Sequence, residues 1–265
     1  MKQLLKAEFM RLRKTRSILI TTIIFAVIQL FEMFIFYIIG KMNNPIETGV
    51  LIKQYANYSL NGFTDYLVIS IFLSIIINKF NTIDYSQGTI RNYMVSGESR
   101  TTIYLSKVII SVVATAIFVL INIIINFLIT LVLFGWKGNF TFILLLEFIA
   151  RSLLVTLIYI SITTMIVFLS HAFKSNGKVI GITLAINFIF QIIYSARTIA
   201  QMINPESKLT FLEVVSKIYI GSHIIDIINL GGKTLDAAIA LLVAIITIIL
   251  FIFLGTYKFK KAELK

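Results

Sequence analysis

The sequence contains no cysteine, only two prolines and few charged residues. The absence of Cys from 265 residues excludes disulfide frameworks, thiolate metal sites and thiol chemistry. Charged residues make up 14% of the chain and apolar residues 58%, whereas soluble domains carry about 25% charged residues. A water-soluble fold cannot bury that share of apolar side chains, and a disordered chain lacks them. We therefore predict an all-α protein with several membrane-spanning helices.

The common motifs of catalytic and metal sites are also missing. The two histidines, His171 and His223, are far apart in the sequence and offer no helical pairing for a metal ion. No phosphate-binding loop of the form GxxxxGK[ST] is present, and neither HExxH nor GxSxG occurs. We therefore predict no catalytic residue, no metal site and no cofactor in this chain.

Six apolar stretches are long enough to cross a bilayer, since a helix needs about 20 residues to span a core of about 30 Å. The second is the weakest because Asn61, Thr64 and Asp65 lie at its start. The third is longer than the core requires, so we expect its first turns to stand outside the core or the helix to tilt. The predicted spans are 18–39, 60–77, 103–134, 142–169, 179–194 and 235–257.

The distribution of positive charge predicts the orientation of these spans. Sixteen of the 24 Lys and Arg residues lie in the two tails, the loop after the second span and the loop after the fourth. Seven lie on the other side, and Arg151 falls within a span. By the positive-inside rule, both termini are cytoplasmic. The net charge of +12 is attributed to this bias and to anionic lipid headgroups, with no nucleic-acid partner expected.

Residues 1–17 have the pattern of an amphipathic helix. Leu5, Phe9 and Leu12 recur at helical spacing with Leu4 alongside, and basic residues lie largely on the opposite side. Such a helix lies in the plane of the membrane interface. The alternative interpretation is a plain basic tail that only orients the first span.

The remaining chain forms one predicted unit. The outer loop 195–234 is apolar but interrupted by charges, which favours re-entrant or surface helices over a seventh span. We therefore predict a single transmembrane domain over 1–265, with the six-span bundle at 18–257 and a basic cytoplasmic tail at 258–265.

Polar side chains within the predicted spans are candidates for function because they cost free energy there. They occur in pairs three or four residues apart, which places both members on one helix face. Such pairs either face a translocation path or protomer interface, or hydrogen-bond between helices, worth about 0.6–2 kcal/mol per contact. The residues are Gln29, Glu32, Asn122, Asn126, Asn187 and Gln191. A further pair, Glu147 and Arg151, is expected to neutralise itself.

The segment 80–107, after the second span, is the most informative part of the chain. Its sequence is FNTIDYSQGTIRNYMVSGESRTTIYLSK, in which Gly88 and Gly97 punctuate the ends of a possible short helix. Lys79 precedes the segment and Lys107 is its last residue, and both are interpreted as interfacial anchors. An ordinary connector is the alternative interpretation.

This segment resembles the first cytoplasmic loop of bacterial ABC type 2 exporter permeases. That loop typically shows an acidic residue, then Gly-Thr and a basic residue, then Ser-Arg, then a Lys entering the third span. The corresponding residues are Asp84 to Arg91, then Gly97 to Arg100, then Lys107. The resemblance extends over the whole chain, including the N-terminal helix, the six spans, the second loop 173–177 and the long outer loop.

The resemblance implies a permease subunit with no ATPase of its own. In this family the loop forms a coupling helix that docks on a separate cytoplasmic ATP-binding-cassette ATPase, which binds the ATP and Mg. Six spans are few for a pathway, so a second permease copy, identical or different, is also expected. By position, the ATPase interface would include Asp84, Gln87, Gly88, Thr89, Arg91 and Arg100, with Glu8 and Arg11 of the N-terminal helix.

The substrate is inferred less directly. Small members of this family include lantibiotic-immunity, bacitracin-type and cytolytic-peptide exporter permeases. Together with the apolar spans, this favours outward movement of an amphipathic or hydrophobic substrate, such as an antimicrobial or toxin peptide. The Ile-, Asn- and Lys-rich composition is typical of a Gram-positive bacterium, which would place the protein in the cell membrane. The alternatives are a non-transporting scaffold or immunity protein with the permease fold, and an intramembrane enzyme.

Overall fold

The fold is described by a computed structural model covering residues 1–43, 50–51, 66–134, 136–137, 142–203, 215 and 234–261. Two short strands, β1 (Val50–Leu51) and β2 (Trp136–Lys137), pair in parallel. The major helices of these ranges are α1 (Lys2–Lys14), α2 (Arg16–Asn43), α3 (Tyr66–Ser86), α4 (Thr89–Val95), α5 (Arg100–Phe134), α6 (Phe142–Phe173), α7 (Asn176–Ile203) and α8 (Thr234–Lys261).

Within the described ranges, six helices are long and apolar enough to cross a membrane: α2, α3, α5, α6, α7 and α8. They coincide with the six predicted stretches, so the prediction of an all-α, multi-span fold is confirmed. The predicted re-entrant or surface helices fall largely outside the described residues, although α7 itself continues to Ile203.

The second span differs most from its prediction. The sequence suggested 60–77, whereas α3 runs from Tyr66 to Ser86. The prediction ended the span before the polar residues Asn78, Lys79 and Asp84. The helix continues past them because Asn78 and Asp84 are buried against polar partners on other helices, and only Lys79 is exposed.

The bundle is organised around α6. In the membrane-spanning part of α6, 72% of the residues are buried, whereas the corresponding shares are 17% for α7 and 11% for α8. Helix α6 contacts α3, α5, α7 and α8, while α2 packs mainly on α5. The outer faces of α2, α7 and α8 expose Ile, Leu and Phe side chains, as expected of helices that face lipid.

Helix α4 lies between two glycines with left-handed backbone conformations. The φ angle is 66° at Gly88 and 89° at Gly97, a region that glycine enters without the penalty a Cβ imposes. Helix α4 buries Ile90 against the bundle and leaves Val95 83% exposed. The structure therefore has the short helix that the two glycines predicted.

Helices α5 and α8 approach closely where Tyr104 meets Gly255. The Tyr104 ring is fully buried and packs against His171 and Phe259, with ring centroids 5.2 Å and 6.0 Å apart. A Cβ added at Gly255 would lie 1.8 Å from Tyr104 Oη. Because the ring is held on several sides, the contact requires glycine at position 255.

We expect Gly255→Ala to lower the thermal stability of the purified protein, because overpacking of this kind costs about 1–3 kcal/mol. Gly181 on α7 is the matched control, since a Cβ there meets nothing within 4 Å. Alanine at that helical position should be neutral or stabilising by up to about 1 kcal/mol. Thermal unfolding in detergent, followed by circular dichroism, measures both variants. Equal stability of the two would contradict the close approach at Gly255.

Candidate functional site

Four charged side chains from three helices meet beneath helix α4. Glu8 and Arg11 come from α1, Asp84 from the end of α3, and Lys107 from the second turn of α5. Lys107 Nζ donates to Glu8 Oε1 at 2.6 Å and also pairs with Asp84. Arg11 donates to Asp84 and lies 3.9 Å from Glu8 Oε2. We call these four residues the charge cluster.

The charge cluster is almost completely withdrawn from solvent. The side chains of Glu8, Asp84 and Lys107 are 0% exposed, and that of Arg11 is 26% exposed. The ring of Phe80 lies beneath both cations, with its centroid 4.8 Å from Lys107 Nζ and 5.3 Å from Arg11 Cζ. Two carboxylates and two cations balance, which is the condition for burying charges at tolerable cost.

The cluster also holds α4 and the loop that follows it. Tyr93 Oη donates to Glu8 Oε1 at 3.1 Å. Burial and the adjacent Glu8 carboxylate raise the pKa of Tyr93 to about 12, so its hydroxyl remains a donor at physiological pH. The amino group of Met1 pairs with Glu98 at 3.1 Å. Helix α1 is therefore tied to the loop helix at both places.

A second connection joins this region to the last span. Arg100 Nη1, at the start of α5, donates to the backbone carbonyl of Lys260, near the end of α8, at 3.0 Å. Helix α1, helix α4, the start of α5 and the end of α8 thus lie at one end of the bundle. We call this the charged end.

The inner face of α1 is rotated relative to its prediction. The sequence suggested a face of Leu5, Phe9 and Leu12 with Leu4 alongside. Leu4 and Leu12 are buried, but the third buried residue is Glu8. Phe9 is 47% exposed. A hydrophobic pattern counts Glu8 as a solvent residue, whereas its partners Lys107 and Arg11 allow it to be the centre of the buried stripe.

The prediction for Lys107 is also wrong. It was interpreted as an interfacial anchor, but it is fully buried and pairs with both carboxylates of the charge cluster. The signal that could have identified it is the length of the third apolar stretch. Its first turns were expected to stand outside the membrane core, which places Lys107 beside the loop and the N-terminal helix.

The residues proposed for an ATPase interface divide into two groups. Glu8 and Asp84 are buried at the base of α4, where they position it and have no surface to offer a partner. Gln87 and Gly88 are exposed, Thr89 is half-buried, and Arg91 lies on α4. Val95 lies outside the set proposed by resemblance, but it is one of the residues of the segment that offer apolar contact, and it is 83% exposed.

The candidate polar residues of the spans differ in burial and in the hydrogen bonds that they make. Asn122 and Asn187 are buried, and their amides donate to backbone carbonyls of their own helices, at 2.7 Å in each case. Gln29 is buried, with no hydrogen-bond partner among the described residues, whereas Glu32 is exposed. Asn126 is also buried and Gln191 is half-buried.

Residues outside this candidate set also make polar contacts that cross between helices. Ser170 of α6 donates to Asn78 Oδ1 at 3.0 Å, and Asn78 donates to the Asn176 carbonyl at 2.9 Å. Thr115 and Thr163 join α5 to α6 at 2.7 Å. The repeat of Ser70, Ser74, Asn78 and Thr82 at intervals of four along the second span could have indicated this face.

The predicted neutralisation of Glu147 and Arg151 is confirmed. Arg151 Nη2 donates to Glu147 Oε1 at 2.8 Å, and Arg151 Nε donates to the same atom at 3.1 Å. The two residues are four apart on α6, and their side chains are 33% and 13% exposed. This pair stabilises its own helix and is separate from the charge cluster.

These features define a multi-pass membrane protein with a rigid loop helix at its charged end. Residues 4–193 match the model of the ABC-2 family transporter proteins. The chain belongs to this family and is a permease component of an ABC transporter. None of the curated proteins compared with it matches.

Replacing Lys107 by methionine should destabilise the protein by about 3–5 kcal/mol, because two buried carboxylates would share one cation. Lys79→Met on the exposed side of α3 is the matched control and should have little effect. Adding Glu8→Gln to Lys107→Met restores the charge balance and should recover part of the loss. Thermal unfolding of the parent protein, the two single variants and the double variant measures these effects. A Lys107→Met variant as stable as the control would rule out the buried pairing.

Proposed function

We propose that this chain is the transmembrane subunit of an exporter driven by a separate ATP-binding-cassette ATPase. The observation that supports this proposal most directly is the position of α4. One side of this helix is exposed, and the other side contacts the charge cluster. In the proposed orientation, the charged end faces the cytoplasm, in agreement with the excess of Lys and Arg there. ATP and Mg would be bound by the partner, and this chain would supply none of the ligands.

Helix α4 is suited to transmit a push because it is short and held at several points. Ile90 is buried against the bundle, and Tyr93 is bonded to Glu8. The charge cluster links the end of α3 to the start of α5 and to α1. A displacement of α4 by a partner would therefore move these helices together, as a rigid-body change.

The exposed face of α4 offers the contact itself. Val95 is 83% exposed, and Gln87 and Gly88 lie beside the helix on the surface. An apolar side chain surrounded by polar groups is the usual composition of an interface core with its rim. We propose that this face, rather than the buried Asp84 and Glu8, contacts the ATPase.

A second permease copy is proposed against the outer face of α2. Glu32 is exposed there among apolar neighbours, of which Phe31 is 65% and Ile35 is 44% exposed. Six spans are few for a transport pathway, and an exposed apolar face of this kind is a surface on which the helices of a second copy could pack. A path between two copies would then be lined partly by this face.

The proposed substrate is an amphipathic or hydrophobic molecule, with a peptide of the antimicrobial or toxin class as the leading candidate. The support is the apolar surface of the spans together with the small size of the permease. Outward transport is proposed on the same basis. A Gram-positive cell membrane is proposed from composition alone.

The contact is tested by the amount of ATPase that co-purifies with the tagged full-length chain from its native membrane. Val95→Glu should lower the yield of ATPase about tenfold, which corresponds to about 1.4 kcal/mol of binding. Val95→Ile should retain it. Because Val95 is 83% exposed, both variants should unfold at the temperature of the parent protein. Unchanged co-purification with Val95→Glu would overturn the assignment of α4.

Val95→Glu tests the contact with less effect on the fold than two other substitutions that the sequence suggests. Arg100→Glu and Gly88→Trp are also expected to uncouple the complex. However, Arg100 donates to the Lys260 carbonyl, and Gly88 has a left-handed conformation, so both changes also disturb the fold.

Transport is tested with the purified complex in vesicles. An amphipathic cationic peptide should raise ATP hydrolysis, and Val95→Glu should abolish that rise. A complex that assembles but shows no response to peptides would favour the non-transporting alternative. Recovery of the chain without any ATPase, even after crosslinking, would overturn the proposal as a whole.

A further inference from the structure

A cavity of about 500 Å³ opens between the ends of α6 and α8 at the charged end. Its volume lies in the range of small-molecule sites, about 300–1,000 Å³. Its walls are mainly apolar and include Phe168 and Leu254, with His171 buried in one wall. The cavity is separate from the charge cluster and from the exposed face of α4.

Three lysines line this cavity: Lys174, Lys258 and Lys261. Each ammonium group lies over an aromatic ring. Lys174 Nζ is 5.4 Å from the centroid of Tyr85, and Lys258 Nζ is 5.7 Å from that of Phe168. Within the described ranges, none of the three lysines forms a salt bridge, so the lysines present three positive charges without a carboxylate.

The backbone at Lys174 provides an independent observation. Lys174 follows α6 with φ of 52°, in the left-handed region, and its amide donates to the Ser170 carbonyl at 2.9 Å. This position after a helix is most often glycine, because a Cβ is unfavourable there. The chain thus carries a long cationic side chain at a position where its backbone favours glycine.

The combination of an apolar wall and cationic rim matches an anionic amphiphile. Phe173 is 44% exposed and Tyr257 is 55% exposed, and the centroids of their rings lie 5.8 Å from Lys258 Nζ and 4.4 Å from Lys261 Nζ, so apolar surface and positive charge adjoin. Basic pockets between transmembrane helices at the cytoplasmic surface bind anionic lipid headgroups. A free phosphate ion would use the lysines but leave the apolar walls without a ligand.

We propose that this cavity is a binding site for an anionic phospholipid of the adjacent leaflet. The phosphate would lie among Lys174, Lys258 and Lys261, and an acyl chain would lie along Phe168 and Leu254. The site would hold the end of α8 to the end of α6, beside Lys260, whose carbonyl Arg100 contacts. Bound lipid would thereby stabilise the hydrogen bond between Arg100, at the start of α5, and the Lys260 carbonyl, near the end of α8.

The test is native mass spectrometry of the full-length protein titrated with phosphatidylglycerol or phosphatidylcholine of the same chain length. Phosphatidylglycerol should bind more tightly. Lys258→Gln should lower its affinity about fivefold, the value expected for one Lys beside an anionic lipid. Lys174→Gly should lower it similarly without lowering the unfolding temperature, because glycine relieves the left-handed backbone.

Lys260→Gln is the matched control, because Lys260 is exposed on the same helix and does not line the cavity. It removes the same charge and should leave phosphatidylglycerol binding unchanged. Three outcomes would overturn the proposal: equal affinity for the two lipids, an equal loss with Lys260→Gln, or displacement of phosphatidylglycerol by equimolar inorganic phosphate. The last outcome would identify a phosphate site in place of a lipid site.

Discussion

Neutralisation of two carboxylates by two cations beneath the loop helix is the interaction on which the charged end depends. Glu8, Arg11, Asp84 and Lys107 come from three helices, and none of them could be buried alone without a large loss of solvation free energy. Because they satisfy one another, α1 can leave the surface pattern of an amphipathic helix and lie against the bundle. The same pairing allows α3 to continue as a helix to Ser86, so that α4 begins directly above the cluster.

Different residues hold α4 in place and form its exposed surface. The buried charges hold α4 in place, while its exposed side carries Val95, which we propose contacts the partner. A sequence motif does not distinguish these two roles, since Asp84 and Gln87 are three residues apart and both polar. The structure distinguishes them by burial, which is complete for Asp84 and absent for Gln87. The Arg100 contact to α8 then extends the connected region from the first helix of the chain to the last.

The fold class, the number of spans and the short helix between Gly88 and Gly97 could be predicted from the sequence, because length, hydropathy and glycine act locally. The end of α3, the inner face of α1 and the burial of Lys107 could not. Each depends on a partner distant in the sequence, and a single chain gives no measure of which charges will meet. For the polar residues of the spans the difficulty is different: Asn122 and Asn187 donate to carbonyls of their own helices, and a sequence pattern does not distinguish such local bonds from contacts between helices.

The order of the cluster along the chain has a consequence for biogenesis. Glu8 and Arg11 are synthesised before Asp84, which comes near the end of the second span, and before Lys107, which comes with the third span. Until then α1 has no buried site to occupy, and Glu8 must remain in water or at the membrane surface. The N-terminal helix, although synthesised first, is thus among the last elements of its end of the bundle to reach its final position. Insertion of the first three spans therefore precedes, and is required for, completion of the surface that carries α4.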